Sequence, residues 1–219
     1  MMLSIVIPAL NSAGELSACL AALEGADEIV VVDGGSADES VAVAEAMGAR
    51  VVHSPKGRGV QLRAGAEAAR GDWLLFLHAD TRLVPGWREA VAAHVAECAG
   101  EAACFRFRLD DRAWQARLIE AGVALRAGLL RLPYGDQGLL LSRASYDATG
   151  GFRPLPLMED VDLVRRLGRV RVLDADAVTS AARWRKDGWF RRSARNALCL
   201  GLYGAGVPVD RIARVYSPS

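Results

Sequence analysis

The chain has 219 residues, 52% of them hydrophobic and 24% charged, with 27 Lys and Arg against 26 Asp and Glu and a formal net charge of +1. That length supports one full-sized core rather than two roomy domains, and the apolar content excludes a disordered chain. The charge balance excludes a globally basic nucleic-acid coat, so no nucleic-acid partner is expected.

Leu3 to Ile7 is an apolar run halted by Pro8 and predicts a buried strand. Leu16, Leu20 and Leu23 then recur at helical spacing behind the capping residues Asn11 and Ser12. Ile29 to Val32 predicts a second buried strand ending at Asp33, followed by Gly34-Gly35-Ser36. Ser36 and Glu39 have capping-box spacing, which predicts a helix from there to about Met47, ended by Gly48. Arg50 to His53 reads as a short third strand, and Gly57 to Ala69 as a helix or a loop leading into one. Trp73 to Leu77 is the fourth strand, with His78-Ala79-Asp80 at its carboxyl end. Continuous apolar strands alternating with helices imply a sheet buried on both faces, hence a mostly parallel α/β architecture. Ligands of such sheets gather beyond the carboxyl ends of the strands, where Asp33 and Asp80 lie.

The second half is less regular. A helix is expected over about 86–98, a strand over Ala103 to Leu109, a helix over Trp114 to Leu129, and a short strand around Leu139 to Leu141. Ser142 caps a turn through Ala144 to Ala148 that Gly150-Gly151 breaks, and Glu159 opens a helix to Leu167. Val170 to Leu173 and Ala177 to Thr179 read as strands, and the last 35 residues as helical, with Pro208 near the start of a final short helix. With no linker or repeat, the expectation is a single domain over 1–219, in stretches of 1–100 and 101–182 and a helical tail of 183–219. Cys19, Cys98, Cys104 and Cys199 form no CxxC pair and read as small apolar residues. Asn11 and Glu15 interrupt the first apolar run, and no apolar segment approaches the roughly 20 residues of a membrane span. A cytoplasmic protein is expected, with peripheral membrane contact left open, as a monomer or homodimer.

Neither glycine-rich segment, Asp33-Gly34-Gly35-Ser36 nor Gly57-Arg58-Gly59, is a dinucleotide fingerprint or a P-loop. The acidic residues are more telling. Asp33 and Asp80 end predicted strands, and Glu159-Asp160 sits at a predicted helix start, where a simple N-terminal cap is the competing reading. Together they suggest a hard divalent cation bridging phosphates, Mg²⁺ or Mn²⁺. His78, two residues before Asp80, is either a second metal ligand or a pocket wall. A basic and aromatic cluster from Arg183-Trp184 to Arg195 is a solvated helix face, a phosphate contact or a membrane-surface contact. Arg58 and Arg63 add cations near a nucleotide, though Arg63 is equally readable as a surface residue.

Ser4-Ile5-Val6-Ile7-Pro8-Ala9-Leu10-Asn11, Val31-Val32-Asp33-Gly34-Gly35-Ser36, Ala64 to Asp72, Leu75 to Asp80, and Gly150-Gly151-Phe152 followed by Met158-Glu159-Asp160 occur in an order that resembles family 2 glycosyltransferases of GT-A fold. More narrowly, Lys56-Gly57-Arg58-Gly59 with Gln61-Leu62, His78-Ala79-Asp80, Tyr134-Gly135-Asp136-Gln137 and Pro156 to Asp160 resemble a bacterial subgroup of arsenosugar-biosynthesis glycosyltransferases. The resemblance implies inverting, non-processive transfer from a nucleoside diphosphate sugar, UDP-linked by expectation, to a hydroxyl of a small-molecule or lipid-linked acceptor. It implies Asp33 on the nucleoside, with Asn11 and Glu15 helping, and Asp80, with His78, on the metal. It further implies Asp160 as catalytic base. Asp136, Gln137 and Glu159 would then lie on the acceptor, and Arg183 and Trp184 over the diphosphate. His78 replaces the first aspartate of the family's DxD, and only Arg183-Trp184 remains of its QxxRW. Two other classes stay open: a nucleotidyltransferase acting on a sugar phosphate, and an inactive nucleotide-sugar-binding protein.

Overall fold

The first apolar run forms β1 (Leu3–Ala9), whose alternate side chains point to opposite sheet faces. Leu3, Ile5 and Ile7 enter one core, and Val6, with Val30 and Val32 of the next strand, enters a second. A computed structural model describes residues 1–98, 100–130 and 133–216. In chain order α1 (Ala13–Ala21), β2 (Glu28–Asp33), α2 (Ser40–Ala46), β3 (Arg50–His53), α3 (Arg58–Ala68) and β4 (Trp73–Phe76) follow. Next come β5 (Thr81–Leu83), α4 (Trp87–Glu97), β6 (Ala102–Leu109) and α5 (Trp114–Leu125), which runs into a π-helical turn over Arg126–Leu130. A single 3₁₀ turn (Gly135–Gln137) leads into β7 (Leu139–Ser142), α6 (Arg143–Ala148), α7 (Glu159–Leu167) and β8 (Val170–Thr179). The chain closes with α8 (Ala182–Asp187), α9 (Trp189–Gly204) and α10 (Val209–Tyr216); residues 217–219 of the expected tail lie outside the described residues.

The strands form one eight-stranded sheet in the order β3-β2-β1-β4-β7-β6-β8-β5. The expected parallel block is present in β3-β2-β1-β4, but the sheet is mixed rather than mostly parallel. Strand β7 runs antiparallel to both β4 and β6, and β5 antiparallel to β8. Between β4 and β7 the chain passes through β5, α4, β6 and α5, so the two strands are not joined by a single β-α-β crossover, the unit that makes sheet neighbours parallel. Three residues of β5 add an edge strand too short to show periodicity, and Val170–Thr179 is one strand, not two.

The predicted capping box does not form. Asp33 accepts hydrogen bonds from the Gly35 and Ser36 N–H groups, and Asn11 Oδ1 accepts one from Ala37. These bonds hold 34–39 as a loop, and α2 starts only at Ser40, whose N–H and hydroxyl both bond Asp38. Ser142 does cap α6, accepting from the Ser145 N–H. On one sheet face α3 lies so close that a Cβ on Gly65 would sit 2.3 Å from Val6 Cγ1, so glycine permits the contact. All four cysteines are free thiols, and burial pushes Cys19 and Cys104 up to about 12.

Candidate active site

Pairing of β7 with β4 sets Leu139 opposite Phe76, so the turn just before β7 lies beside the chain leaving β4. Pairing of β8 with β5 sets Thr179 opposite Thr81, and the Ser180 N–H bonds the Asp80 carbonyl, which starts α8 next to Asp80. These two registers, unread in the sequence, bring residues far apart in the chain onto one cavity. Arg58, His78, Asp80, Tyr134, Asp136 and Asp160 line one part of it; Thr179, Arg183, Trp184, Arg192, Asn196 and Tyr216 line the rest.

Asp160 opens α7 and accepts two backbone hydrogen bonds, on Oδ2 from Gly135 and on Oδ1 from Val161, each 2.7 Å. Gly135 sits where a Cβ would lie 2.7 Å from His78 Nε2 and 3.4 Å from Asp160 Oδ2, so a side chain there would separate the turn from both. The residue before this pair of acids, Met158, is left-handed at φ +63°, a strained conformation for a non-glycine residue. Glu159 is buried and pairs with Arg58 at 3.3 Å. Asp80 pairs with Arg183 at 3.8 Å.

Burial pushes the Glu159 carboxyl up to about 6, with the Asp160 charge adding and Arg58 opposing. Burial likewise pushes Asp136 up to about 6 against the pull of Arg126, with Asp160 and Asp80 adding. Burial and the Arg58 guanidinium push the His78 imidazole down to about 3, so it is neutral near pH 7. Four buried polar atoms on cavity residues, Asp136 Oδ1, Trp184 Nε1, Arg192 Nε and Asn196 Oδ1, have no hydrogen-bond partner among the described residues. Buried polar atoms are normally paired, so the cavity suits a polar ligand.

The other expected residues lie elsewhere. Asp33 ends β2 with its carboxylate engaged by the Gly35 and Ser36 N–H groups and by His53 at 3.5 Å. Burial alone would push it up, but the Ser36 and Gly35 donors outweigh that and hold it below the ordinary carboxylate range. Asn11, left-handed at φ +49°, ties the same loop. Glu15 is exposed on α1. Arg63 is an exposed residue of α3 paired with Glu67 at 3.0 Å, away from the cavity. Gln137 points inward, donating to the Phe105 carbonyl, so it holds the turn rather than facing the cavity.

The motif Lys56-Gly57-Arg58-Gly59 with Gln61-Leu62 gives Gln61 of α3 no role of its own. Its amide donates to the Ala9 and Val32 carbonyls at the ends of β1 and β2, so α3 links the Asp33 loop to Arg58 in the cavity. Arg192 stood in the basic cluster, and Asn196 follows it at i+4 on α9; a helical-face reading of that cluster would have found it. Tyr216 carries no sequence signal.

Among the described residues no three His, Cys, Asp or Glu side chains stand close enough to hold a metal ion by themselves. One carboxylate, Asp80, beside a neutral imidazole fits an ion of the magnesium type that shares its coordination with phosphate oxygens; a protein-only cage does not fit.

Residues 4–155 match the profile of glycosyl transferase family 2. A PGL/p-HBAD biosynthesis glycosyltransferase of Mycobacterium bovis is 40% identical over 111 residues, covering 46% of this chain and 42% of that protein. An undecaprenyl-phosphate 4-deoxy-4-formamido-L-arabinose transferase of Pseudomonas aeruginosa is 31% identical over 153 residues, 61% of this chain and 45% of that one. The chain thus spans less than half the length of these curated relatives. Glucosyl-3-phosphoglycerate synthase from Mycobacterium tuberculosis, crystallised with Mn²⁺, UDP-glucose and phosphoglyceric acid, superposes with a TM-score of 0.64 at 22% identity, covering 94% of this chain and 80% of that one. These relatives correct the narrower expectation: the sequence similarity is to a PGL/p-HBAD biosynthesis glycosyltransferase, not to an arsenosugar-biosynthesis subgroup, and glucosyl-3-phosphoglycerate synthase shares the fold. Several residues that suggested that subgroup, Arg58, His78, Asp80, Tyr134, Asp136 and Asp160, line the cavity of this chain.

Proposed function

The chain belongs to glycosyl transferase family 2, and from that premise we propose that it moves a sugar from a nucleoside diphosphate donor, UDP-linked, to an acceptor hydroxyl. Transfer is a single displacement with inversion, one sugar at a time. The observation that carries this reading is the convergence of Asp80, Asp136 and Asp160 with Arg58 and Arg183 on one cavity at the carboxyl edge of a GT-A-like α/β sheet.

Asp33 and Asn11 are assigned to the nucleoside through the 34–37 loop that they hold, in the half spanning 1–100. Residues 101–182 are assigned to the acceptor half, and the described residues of 183–219 to the tail. Asp80, with His78 beside it, would hold Mn²⁺ or Mg²⁺, which would supply positive charge against the departing diphosphate. Arg183, exchanging Asp80 for phosphate oxygens, binds the same group by its planar fork. Trp184 walls the cavity, its indole N–H unpaired and ready to donate.

Asp160 is the base. Each carboxylate oxygen has two acceptor sites, and the Gly135 and Val161 N–H groups occupy one on each, so an acceptor hydroxyl can still donate to Asp160. Those two donors fix its orientation while it takes the proton. Asp136 orients the acceptor, and Glu159, buried and outside the cavity lining, acts on it through Arg58, which it pairs with at the cavity wall. A nucleotidyltransferase finds no support, because the loop after β1, Leu10-Asn11-Ser12, carries no cation for a triphosphate. Among the described residues no helix is long and apolar enough to cross a membrane.

Asp160→Asn is expected to lower turnover by about 10²–10⁴-fold with donor binding nearly unchanged. Full activity in this variant would overturn the base. Calorimetry with UDP, GDP and their sugars, with and without Mn²⁺, tests the donor; binding of none would overturn the donor class.

A further inference from the structure

Nine large apolar side chains are exposed among the described residues, and five of them lie on two neighbouring helices. Helix α5 exposes Trp114 (64%), Leu118 (54%) and Leu125 (66%), and α9 exposes Phe190 (55%) and Leu198 (54%). The small residues between them are exposed too. Trp114, Leu118, Ala121, Gly122 and Leu125 form one stripe at i, i+4, i+7, i+8 and i+11. Phe190, Ala194, Ala197, Leu198 and Gly201 repeat the same spacing on α9. Residues so spaced share a helix face. The two stripes meet where the Trp114 and Phe190 rings lie 5.9 Å apart.

Charge around this face has one sign. Arg112 precedes Trp114 by two residues, Lys186 precedes Phe190 by four, and Arg191 follows it; all three are exposed and, among the described residues, none has an ion-pair partner. The two acids within α5, α8 and α9 are already committed. Glu120 is buried under Arg108 and Arg117, and Asp187 is shared by Arg192 and Arg195. Nearby, Asp110 and Asp111 are held by Arg185. An apolar plateau with interfacial aromatics and a rim of free cations complements an anionic lipid surface, where each cation near the headgroups adds about 1 kcal/mol.

We propose that the exposed face of α5 and α9 docks this protein on an anionic lipid bilayer. The opposite face of α9 carries Arg192 and Asn196 into the cavity, so docking sets the cavity close to the headgroups. The proposal needs no transferase activity and stands or falls apart from it.

The test is co-sedimentation of the full chain with vesicles of phosphatidylcholine alone, or of phosphatidylcholine and phosphatidylglycerol in equal parts. Binding to the anionic vesicles is expected, at least about tenfold weaker on the neutral ones, and weakened by added salt. Trp114→Ser with Phe190→Ser should lower that binding about tenfold or more without changing the thermal melt, because both rings are exposed. A Trp114-dependent blue shift of fluorescence on vesicle addition, lost in Trp114→Phe, reports the same contact. Failure to sediment with either vesicle overturns the proposal, as does undiminished binding by the double variant. A dimer of the wild-type chain that this double substitution dissociates also overturns it, and assigns the face to a second copy.

Discussion

Asp33 and Asp136 are both aspartates near the sheet edge where the cavity opens, and the protein treats them in opposite ways. Asp33 is fed by backbone donors from Gly35 and Ser36, and these hold its carboxyl low. Asp136 is half-buried, with its Oδ1 buried and unpaired among the described residues, and its carboxyl is pushed up to about 6. The first is finished architecture, a carboxylate spent on shaping a loop. The second is a cost the fold tolerates because a bound group can relieve it. Acidic residues at equivalent places in a fold therefore differ in whether their hydrogen bonds are already made, and in the proposed function that difference separates positioning residues from those facing substrate.

The sharpest way to break this contrast is to remove each carboxylate. Asp33→Ala should destabilise the protein by about 2–4 kcal/mol, because the Gly35 and Ser36 N–H groups lose a buried acceptor. Asp136→Ala should leave the denaturant midpoint unchanged or raise stability by about 1 kcal/mol, while transfer falls by about 10–100-fold. Equal losses of stability in the two variants would erase the distinction. Next in size is Gly135→Ala, whose Cβ would press on His78 Nε2 at 2.7 Å and loosen the bond to Asp160. Turnover should fall about tenfold while stability drops by about 1–2 kcal/mol, checked by steady-state rates beside a melt.

The smallest effect is on pH. In the folded, ligand-free protein Asp136 and Glu159 protonate near 6, against about 4 in an unfolded chain. Between those values the folded state holds more protons, so their contribution to stability is full below about pH 4 and is lost as pH rises through about 6. Asp33 acts with the opposite sign, its contribution present above the unfolded value and lost as pH falls through its lowered one. Urea melts of wild type and Asp136→Ala over this range should differ by that slope, and parallel curves would remove Asp136 from it.

Much of the first half was legible because its strands are continuous apolar runs. β1 to β4 and the start of α7 at Glu159 stand where the sequence puts them. The capping-box reading of Ser36 and Glu39 failed for a tertiary reason. Asp33 and Asn11, from two other segments, claim the backbone donors that a helix start would have left free. The mostly parallel sheet failed because Leu139–Ser142 looks the same in either direction, and only its partner β4 fixes its sense. Among site residues, Asp80, Asp136, Asp160, Arg58, Arg183 and Trp184 do meet at the cavity, whereas Arg63 turns outward to Glu67 and Gln137 inward to Phe105. Spacing along one helix leaves the direction of a long side chain to its neighbours.

Local pattern by itself determined which segments bury apolar side chains, that carboxylates cluster at strand ends and at a helix start, and the family to which these motifs belong. These are properties of short stretches, set by periodicity and by the chemistry of adjacent residues. Only the tertiary structure decided which carboxylates are satisfied and which are starved. It alone placed Asn196 and Tyr216 in the cavity wall and aligned the apolar stripes of α5 and α9 on neighbouring helices. Hydrogen-bond satisfaction and a shared face depend on partners dozens of residues away, and strand register, not local sequence, sets those distances.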